Sequence, residues 1–231
     1  MRLKKILASG IVSSLILFGG MGMTQAETAI TDGATAVTFQ NGAWKMAGNL
    51  YLPKNYKQGQ KYPALVVIHP GGGVKEQTSG LYAQKLAAKG FVTLAYDASH
   101  QGESEGLPRY LENPTERVED IRSAVDYLTT LPQVDAEKIG VVGICAGGYS
   151  ISAAQTEHRI KAVATVSAVD VGNIARQGWD GKHFSDQLKA LEAIAAQRTA
   201  EANGAPIRYD HIVPTREEIT AETPQDIVEA S

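Results

Sequence analysis

The sequence contains only one cysteine, Cys145, in 231 residues. Exported proteins usually carry cysteines in even numbers, and a single cysteine excludes a disulfide within the chain. A lone cysteine without distinctive neighbours is most simply a small buried apolar residue. The role of Cys145 therefore depends on the residues around it.

The chain also lacks an excess of positive charge. Its formal net charge is −3 and its isoelectric point is near 6.0. This balance predicts no basic surface for a nucleic acid or an anionic membrane. Small neutral or acidic partners fit it better.

The N-terminal apolar run is shorter than the roughly 20 residues that a membrane-spanning helix requires. It extends from Ile6 to Phe18, after Lys4 and Lys5 and before Thr24-Gln25-Ala26. This is the three-part pattern of a secretory signal peptide. We expect residues 1–26 to be removed, and the protein to be periplasmic or secreted without a stable membrane anchor. Residues 27–231 are enough for one domain.

Apolar runs alternate with helical patterns along this domain. Asn41-Gly42 predicts a hairpin between strands at 35–40 and 44–52. Buried strands are predicted at 62–69, 91–96, 138–144 and 160–167, and helices at 79–89, from Pro114, and at 146–155. Alternating strands and helices predict an α/β fold, with a mostly parallel sheet, helices on both faces and an N-terminal antiparallel hairpin.

The second of these helices has the clearest start. Asn113 can cap it, Pro114 suits its first position, and Glu116 completes an arrangement like a capping box. Its apolar stripe comprises Val118, Ile121, Val125 and Leu128. After Ser167 the pattern weakens, and we expect residues 168–231 to form a cap-like loop, an amphipathic helix near 184–203 and a polar tail.

Gly143-Ile144-Cys145-Ala146-Gly147 lies where a buried strand meets a helix of small residues. In that context Gly-x-Cys-x-Gly predicts a nucleophile elbow, a tight turn that presents Cys145 above the sheet edge. Glycine is needed on both sides because a side chain at 143 or 147 would collide with neighbouring backbone. Backbone N–H groups of the next helix would favour the thiolate. A glycine packing contact or a dinucleotide loop is the alternative interpretation.

His69-Pro70-Gly71-Gly72-Gly73 follows an earlier buried strand. A loop of this type can donate a backbone N–H to an oxyanion, together with the N–H of the residue after the nucleophile. Here those donors would be the loop at Gly71 and Gly72, and Ala146. Alternatively, the three glycines form only a flexible turn.

With Asp97-Ala98-Ser99-His100-Gln101-Gly102-Glu103-Ser104, these motifs resemble the dienelactone-hydrolase-like branch of the α/β-hydrolases, including polyketide-transferase-like and Xaa-Pro-peptidase-like relatives. The likeness covers roughly residues 35–215. It implies an α/β-hydrolase fold, a Cys145 nucleophile, and oxyanion donors at Ala146 and within Gly71 to Val74. The family also keeps a glutamate near the thiol. Glu76 is the candidate by position, although an ordinary exposed loop carboxylate is the simpler interpretation.

The sequence departs from the family in its C-terminal part, which we expect to be incomplete. The family continues into strands that deliver an acid and then a histidine. Asp170 is the best-placed acid, although it can equally cap a loop. Of the later histidines, His158 should lie at the opposite end of the sheet, and His183 and His211 do not follow a late strand.

Three functions remain open at this stage. The first is a hydrolase or acyltransferase that uses Cys145 on a small-molecule ester, lactone or thioester. The second is a truncated relative that only binds a small acyl ligand. The third is a redox protein with one reactive thiol. No cofactor and no metal site is predicted.

Overall fold

The computed structural model describes residues 30–31, 33–178, 187–210, 215–217 and 219–220. The predicted signal peptide lies outside the described residues, as do His183 and His211.

Strands and helices alternate over most of the described chain. The strands are β1 (Ile30–Thr31), β2 (Ala34–Asn41), β3 (Trp44–Tyr51), β4 (Tyr62–Ile68), β5 (Val92–Tyr96), β6 (Val134–Ile144) and β7 (Ile160–Val166). The helices are α1 (Thr78–Ala87), α2 (Pro114–Thr130), α3 (Tyr149–Ala154), α4 (Val171–Gln177) and α5 (Gln187–Ala202). A 3-10 turn, Cys145–Gly148, joins β6 to α3.

The seven described strands form one mixed sheet in the order β1-β2-β3-β5-β4-β6-β7. β5, β4, β6 and β7 run parallel, whereas β1, β2 and β3 extend the sheet antiparallel. The predicted hairpin is confirmed, because β2 pairs with β3 from Asn41 opposite Trp44. Gly42 in its turn has φ +50°, which glycine adopts without steric cost.

Successive residues of the parallel strands face two different apolar layers, as the pleat of a strand requires. Val66 and Leu94 belong to a cluster that includes Ile121 of α2, whereas Val67 and Ala95 belong to a cluster that includes Ala83 of α1. The helices therefore cover both faces of the sheet, as predicted.

Helix α2 begins where the sequence predicted. Asn113 accepts a hydrogen bond from the N–H of Thr115 at 3.0 Å, and Pro114 is the first helical residue. Glu116, however, pairs with the ring of His100. The expected capping box is replaced because a buried histidine binds that carboxylate.

The prediction of a fourth buried strand at 160–167 is wrong in one respect. The strand forms, but only Ile160 is buried, and the residues from Lys161 to Thr165 are exposed. β7 is the last strand in the described sheet order, so it pairs with β6 along one edge and with no other described strand. An apolar run in the sequence cannot by itself distinguish an edge strand from a central one.

Helix α5 matches the described part of the helix predicted near 184–203. None of its residues is buried, and the apolar side chains of Leu188, Leu191 and Ile194 are exposed. The sequence predicts an apolar face on this helix, but no apolar surface in the described part of the chain packs against that face.

Candidate active site

Cys145 adopts a backbone conformation that residues with a side chain rarely take. β6 lies inside the parallel part of the sheet and ends at Ile144, and Cys145 follows with φ +54°. A non-glycine residue in this region costs on the order of 1 kcal/mol, and such residues cluster at functional sites. The residue is half-buried and packs against the apolar cluster of Val142 and Ile144. The turn thus presents a partly exposed thiol at the carboxyl end of the strand.

Steric contact explains the glycines on either side of Cys145. A Cβ at position 143 would overlap the carbonyl oxygen of Gly147 and lie 2.7 Å from Oγ of Ser150. A Cβ at position 147 would lie 3.3 Å from the carbonyl oxygen of Ile68, which is tight but not prohibitive. The predicted need for glycine is therefore strict at 143 and weaker at 147.

The segment after Cys145 is a shorter helix than predicted. It begins with the 3-10 turn, and its α-helical part spans only Tyr149–Ala154. The N–H of Val169 donates to the carbonyl oxygen of Cys145 at 3.1 Å. A Cβ at Gly148 would lie 2.6 Å from the Val169 carbonyl oxygen. The loop after β7 therefore packs directly against the turn.

The glycine loop, defined here as residues 69–74, begins beside this turn. β4 and β6 are adjacent and parallel, and Ile68 is paired with Gly143. Because the carboxyl ends of parallel strands share one sheet edge, the residues after Ile68 and those after Gly143 leave the sheet side by side. Gly72 has φ +69°, and the N–H of Gly73 donates to the Pro70 carbonyl at 3.0 Å, which closes the loop.

His69 is buried and electrically neutral at the start of this loop. Its Nδ1 faces the Pro70 carbonyl oxygen at 2.6 Å, and its Nε2 accepts from the N–H of Ala98 at 3.0 Å. Burial and the nearby Arg117 guanidinium lower the pKa of His69 to about 4. Its proton therefore belongs on Nδ1, and both ring nitrogens are engaged in contacts that hold the start of the loop.

An ion cluster centred on the buried Lys75 and Asp97 follows the far end of the loop. Lys75 Nζ lies 2.9 Å from Asp97 Oδ2, 2.6 Å from Glu103 and 2.7 Å from Glu76. Burial acts to lower the pKa of Lys75, but the hydrogen bonds to Glu103, Glu76 and Asp97 outweigh it and raise the pKa. Glu76, the proposed partner of the thiol, is thus an exposed member of this ion cluster.

Asp170 caps a helix in the described structure. Its side chain accepts a hydrogen bond from the N–H of Asn173 at 2.9 Å, at the start of α4, and the residue is exposed. It follows Val169, which contacts Cys145, so it lies on the same sheet edge as the thiol. This geometry matches the capping alternative, and a catalytic role for Asp170 stays a prediction.

The described histidines either have other ring partners or lie far from Cys145. His158 is exposed and precedes β7, which runs parallel to β6, so it lies at the opposite end of the sheet from Cys145, as predicted. His100 is buried and binds the Pro108 carbonyl and Glu116 through its two ring nitrogens. In the described part of the chain, none of the histidines is shown in contact with Cys145.

A cleft of about 780 Å³ opens next to the elbow, between the start of α2, α3 and the loop after β7. Its lining includes Thr115, Gly148, Tyr149 and Asp170 but not Cys145. The cleft is therefore adjacent to the thiol rather than centred on it.

Sequence reasoning missed Arg117, which is buried beneath the glycine loop and donates to the carbonyl of His69 at 2.8 Å. An arginine at a helix position next to a predicted apolar stripe is ordinarily a surface residue. A second buried charge on the same helix, Asp120, binds Ser99 and was missed for the same reason.

Comparison with known proteins shows which protein family has this sequence. Residues 46–170, more than half of the chain, match the model of the dienelactone hydrolase family. The chain belongs to that family of hydrolases. Uncharacterized protein YcjY of Escherichia coli K12 is 50% identical over 179 residues, which are 77% of this chain and 58% of YcjY.

Two further relatives extend the comparison. Thiohydrolase aneE of Aspergillus aculeatus is 31% identical over 157 residues, which are 68% of this chain and 48% of aneE. The crystal structure of hypothetical protein PA2218 from Pseudomonas aeruginosa superposes with a TM-score of 0.77 at 38% identity, over 87% of this chain and 63% of that one. The predicted α/β-hydrolase fold is confirmed, and this dienelactone hydrolase family member spans about half the length of its curated relatives.

The described residues offer neither a metal-ligand cluster nor a helix that could span a membrane. Across these ranges, we find no cluster of three His, Cys, Asp or Glu side chains that could hold a metal ion. Among the helices they contain, none has the length and apolar character needed to cross a bilayer.

Proposed function

We propose that this family member is an exported hydrolase or acyltransferase that forms a covalent acyl intermediate on Cys145, with an ester, lactone or thioester as substrate. The observation that carries the proposal is the left-handed backbone of Cys145, at the end of a central parallel strand and beside the glycine loop. The family match over residues 46–170 and the thiohydrolase relative support the same chemistry.

The first chemical step would be attack of the Cys145 thiolate on the substrate carbonyl carbon. A C–S bond forms, and the carbonyl π electrons move onto oxygen. The N–H of Ala146 and an N–H of the loop at Gly71 and Gly72 would stabilise that oxyanion, a contribution of about 3 kcal/mol per donor in comparable enzymes. Collapse of the intermediate breaks the bond to the leaving group, which takes up a proton, and leaves a thioester on Cys145.

The second half of the reaction requires a base that activates water or another acceptor. His69 is a poor candidate because its Nε2 already accepts hydrogen bonds, and His100 is paired with Glu116. These commitments favour a second candidate function, in which the described chain accepts an acyl group once or binds an acyl ligand without turnover.

Acyl transfer to the sole thiol tests both candidates. The protein, whose N-terminal residue after export we expect to be Glu27, is mixed with a p-nitrophenyl ester or an acyl thioester. Released p-nitrophenolate is followed for the ester, and intact-protein mass spectrometry counts acyl groups for either substrate. A stoichiometric burst with an adduct on Cys145 supports the proposal, and sustained turnover distinguishes the hydrolase from the single-acylation alternative.

Cys145→Ala is the decisive variant, and Thr130→Ala is a control that removes an exposed hydroxyl at the end of α2, outside the cleft. The burst and the adduct should disappear in Cys145→Ala and persist in Thr130→Ala. Absence of both burst and adduct in the unmodified protein would overturn the proposal.

A further inference from the structure

Arg117 connects the two segments that flank the thiol. It lies on α2 with only 3% of its surface exposed, although arginine is almost never buried without paired partners. Its contacts reach the glycine loop on one side and the first residue of α3 on the other. The proposed function assigns Arg117 no role.

On the loop side, the guanidinium binds both the backbone and the ring of His69. Nη2 donates to the His69 carbonyl oxygen at 2.8 Å, and Nη1 lies 3.1 Å from His69 Nε2. Because Nε2 also accepts from the N–H of Ala98, that nitrogen carries no proton and can accept from Arg117 as well. The residue that leads into Gly71 and Gly72 is thereby fixed at two points.

On the elbow side, the guanidinium carbon lies 5.7 Å from the centre of the Tyr149 ring, in cation–π contact. Tyr149 follows Cys145 by four residues and begins α3. The Nε atom faces Glu112 at 3.3 Å as an ion pair. The three nitrogens of the planar group therefore face the His69 carbonyl, the His69 ring and the Glu112 carboxylate, an arrangement that lysine cannot reproduce.

We propose that Arg117 is a positioning residue that fixes the position of the glycine loop relative to the 3-10 turn and α3. The N–H donors of the loop and of the turn then converge on one oxyanion. This inference rests on the proposed function, since it assigns a task within that reaction. Arg117 acts through His69 and Tyr149 and does not contact the substrate. Displacement of reacting groups by about 1 Å is enough to lower a rate about a hundredfold.

The test uses Arg117→Met and Arg117→Lys in the full chain. Arg159→Met is the control, because Arg159 also pairs with α2, through Asp126, but lies just before β7 at the end of the sheet opposite Cys145. Two rates are measured at Cys145: acylation by the activated ester, which needs the oxyanion donors, and alkylation by iodoacetamide, which does not. Urea denaturation shows which variants remain folded.

We expect both Arg117 variants to lower the acylation rate at least about tenfold. Alkylation should change less than about threefold, since the thiol remains in its strained turn. Arg159→Met should match the unmodified protein in both rates. Equal changes in acylation and alkylation, or full acylation in Arg117→Lys, would show a role in folding or in charge alone and would overturn the proposal.

Hydrogen–deuterium exchange gives a readout that does not depend on activity. Arg117→Met should accelerate exchange in the peptides that cover 69–76 and 144–150 together, whereas Arg159→Met should accelerate neither. If the unmodified protein shows no acylation, the proposed function fails, and the positioning role of Arg117 fails with it. If acylation occurs but neither rate nor exchange responds to Arg117, only the positioning inference fails.

Discussion

The ring of His69 illustrates how burial at a single residue decides which groups are free for chemistry. Both ring nitrogens are engaged, by the Pro70 carbonyl and by the N–H of Ala98, and Arg117 lies against the same ring. A histidine in this environment resists protonation mainly because burial disfavours the charged imidazolium, which would also face the Arg117 guanidinium. His69 therefore couples the stability of the fold to pH.

The direction of this coupling follows from the lowered pKa. His69 titrates at about 4 in the folded chain and near 6.5 in the unfolded chain. Between these values the unfolded state binds the additional proton, so the contribution of His69 is fully present above pH 6.5 and is lost as pH falls toward 4. The free energy at stake is about 3 kcal/mol.

Urea denaturation between pH 4 and 7.5 measures this loss. In His69→Gln, whose amide oxygen can still accept from Ala98, stability should decline less over that range than in the unmodified protein. His158→Gln, at an exposed site, should follow the unmodified protein. Parallel pH dependence in the His69→Gln and unmodified proteins would rule out this role for His69.

At the scale of residues, the spacing of the motifs predicted part of the candidate site. Gly143, Cys145, Ala146 and the glycine loop form two local patterns, so they could be recognised without knowledge of the fold. Arg117 could not, because its partner His69 is 48 positions away in sequence and only the packing of α2 under β4 brings them together. Whether Asp170 takes part in the reaction stays a prediction, since its described contact is a helix cap.

The nucleophile elbow shows at the scale of elements how a strand and a helix constrain the turn between them. Gly143 belongs to the end of β6 and faces the backbone of Gly147, whereas Gly147 faces the end of the neighbouring strand β4. The first contact lies within one turn and cannot relax without changing the turn. The second lies between two elements that can separate slightly.

This difference predicts unequal effects of two otherwise identical substitutions. Gly143→Ala should destabilise the protein by about 3 kcal/mol or more, because the new methyl group overlaps backbone. Gly147→Ala should cost about 1 kcal/mol, because the new methyl meets one carbonyl oxygen at 3.3 Å. Chemical denaturation of the two variants gives the comparison, and equal losses would contradict this account of the turn.

The fold could be predicted element by element where local signals were strong. Asn41-Gly42 identified the hairpin, and Asn113-Pro114 identified the start of α2, because turn and cap chemistry act over a few residues. The exposure of β7 and the pairing of Glu116 with His100 could not be predicted. Each depends on which distant parts of the chain pack against that strand or that side chain.

At the scale of the whole molecule, the main feature is that no other described strand pairs with the outer edge of β7. β6 pairs with one side of β7, and Ala162 to Thr165 are exposed uncharged residues. An uncharged, uncovered edge strand offers free backbone donors and acceptors to another chain. Lys161 supplies the only charge within the strand.

We therefore expect the protein to self-associate through β7 as its concentration rises. Val163→Lys places a charge in the middle of the strand and should shift the protein toward monomer, because pairing would bury that charge. Leu81→Lys is the matched control: it also replaces an exposed apolar residue and changes the net charge from −3 to −2, but it lies on α1. Sedimentation velocity between about 1 and 100 μM spans weak association of this kind. A monomeric unmodified protein throughout, or equal dissociation in Leu81→Lys, would show that β7 does not drive association.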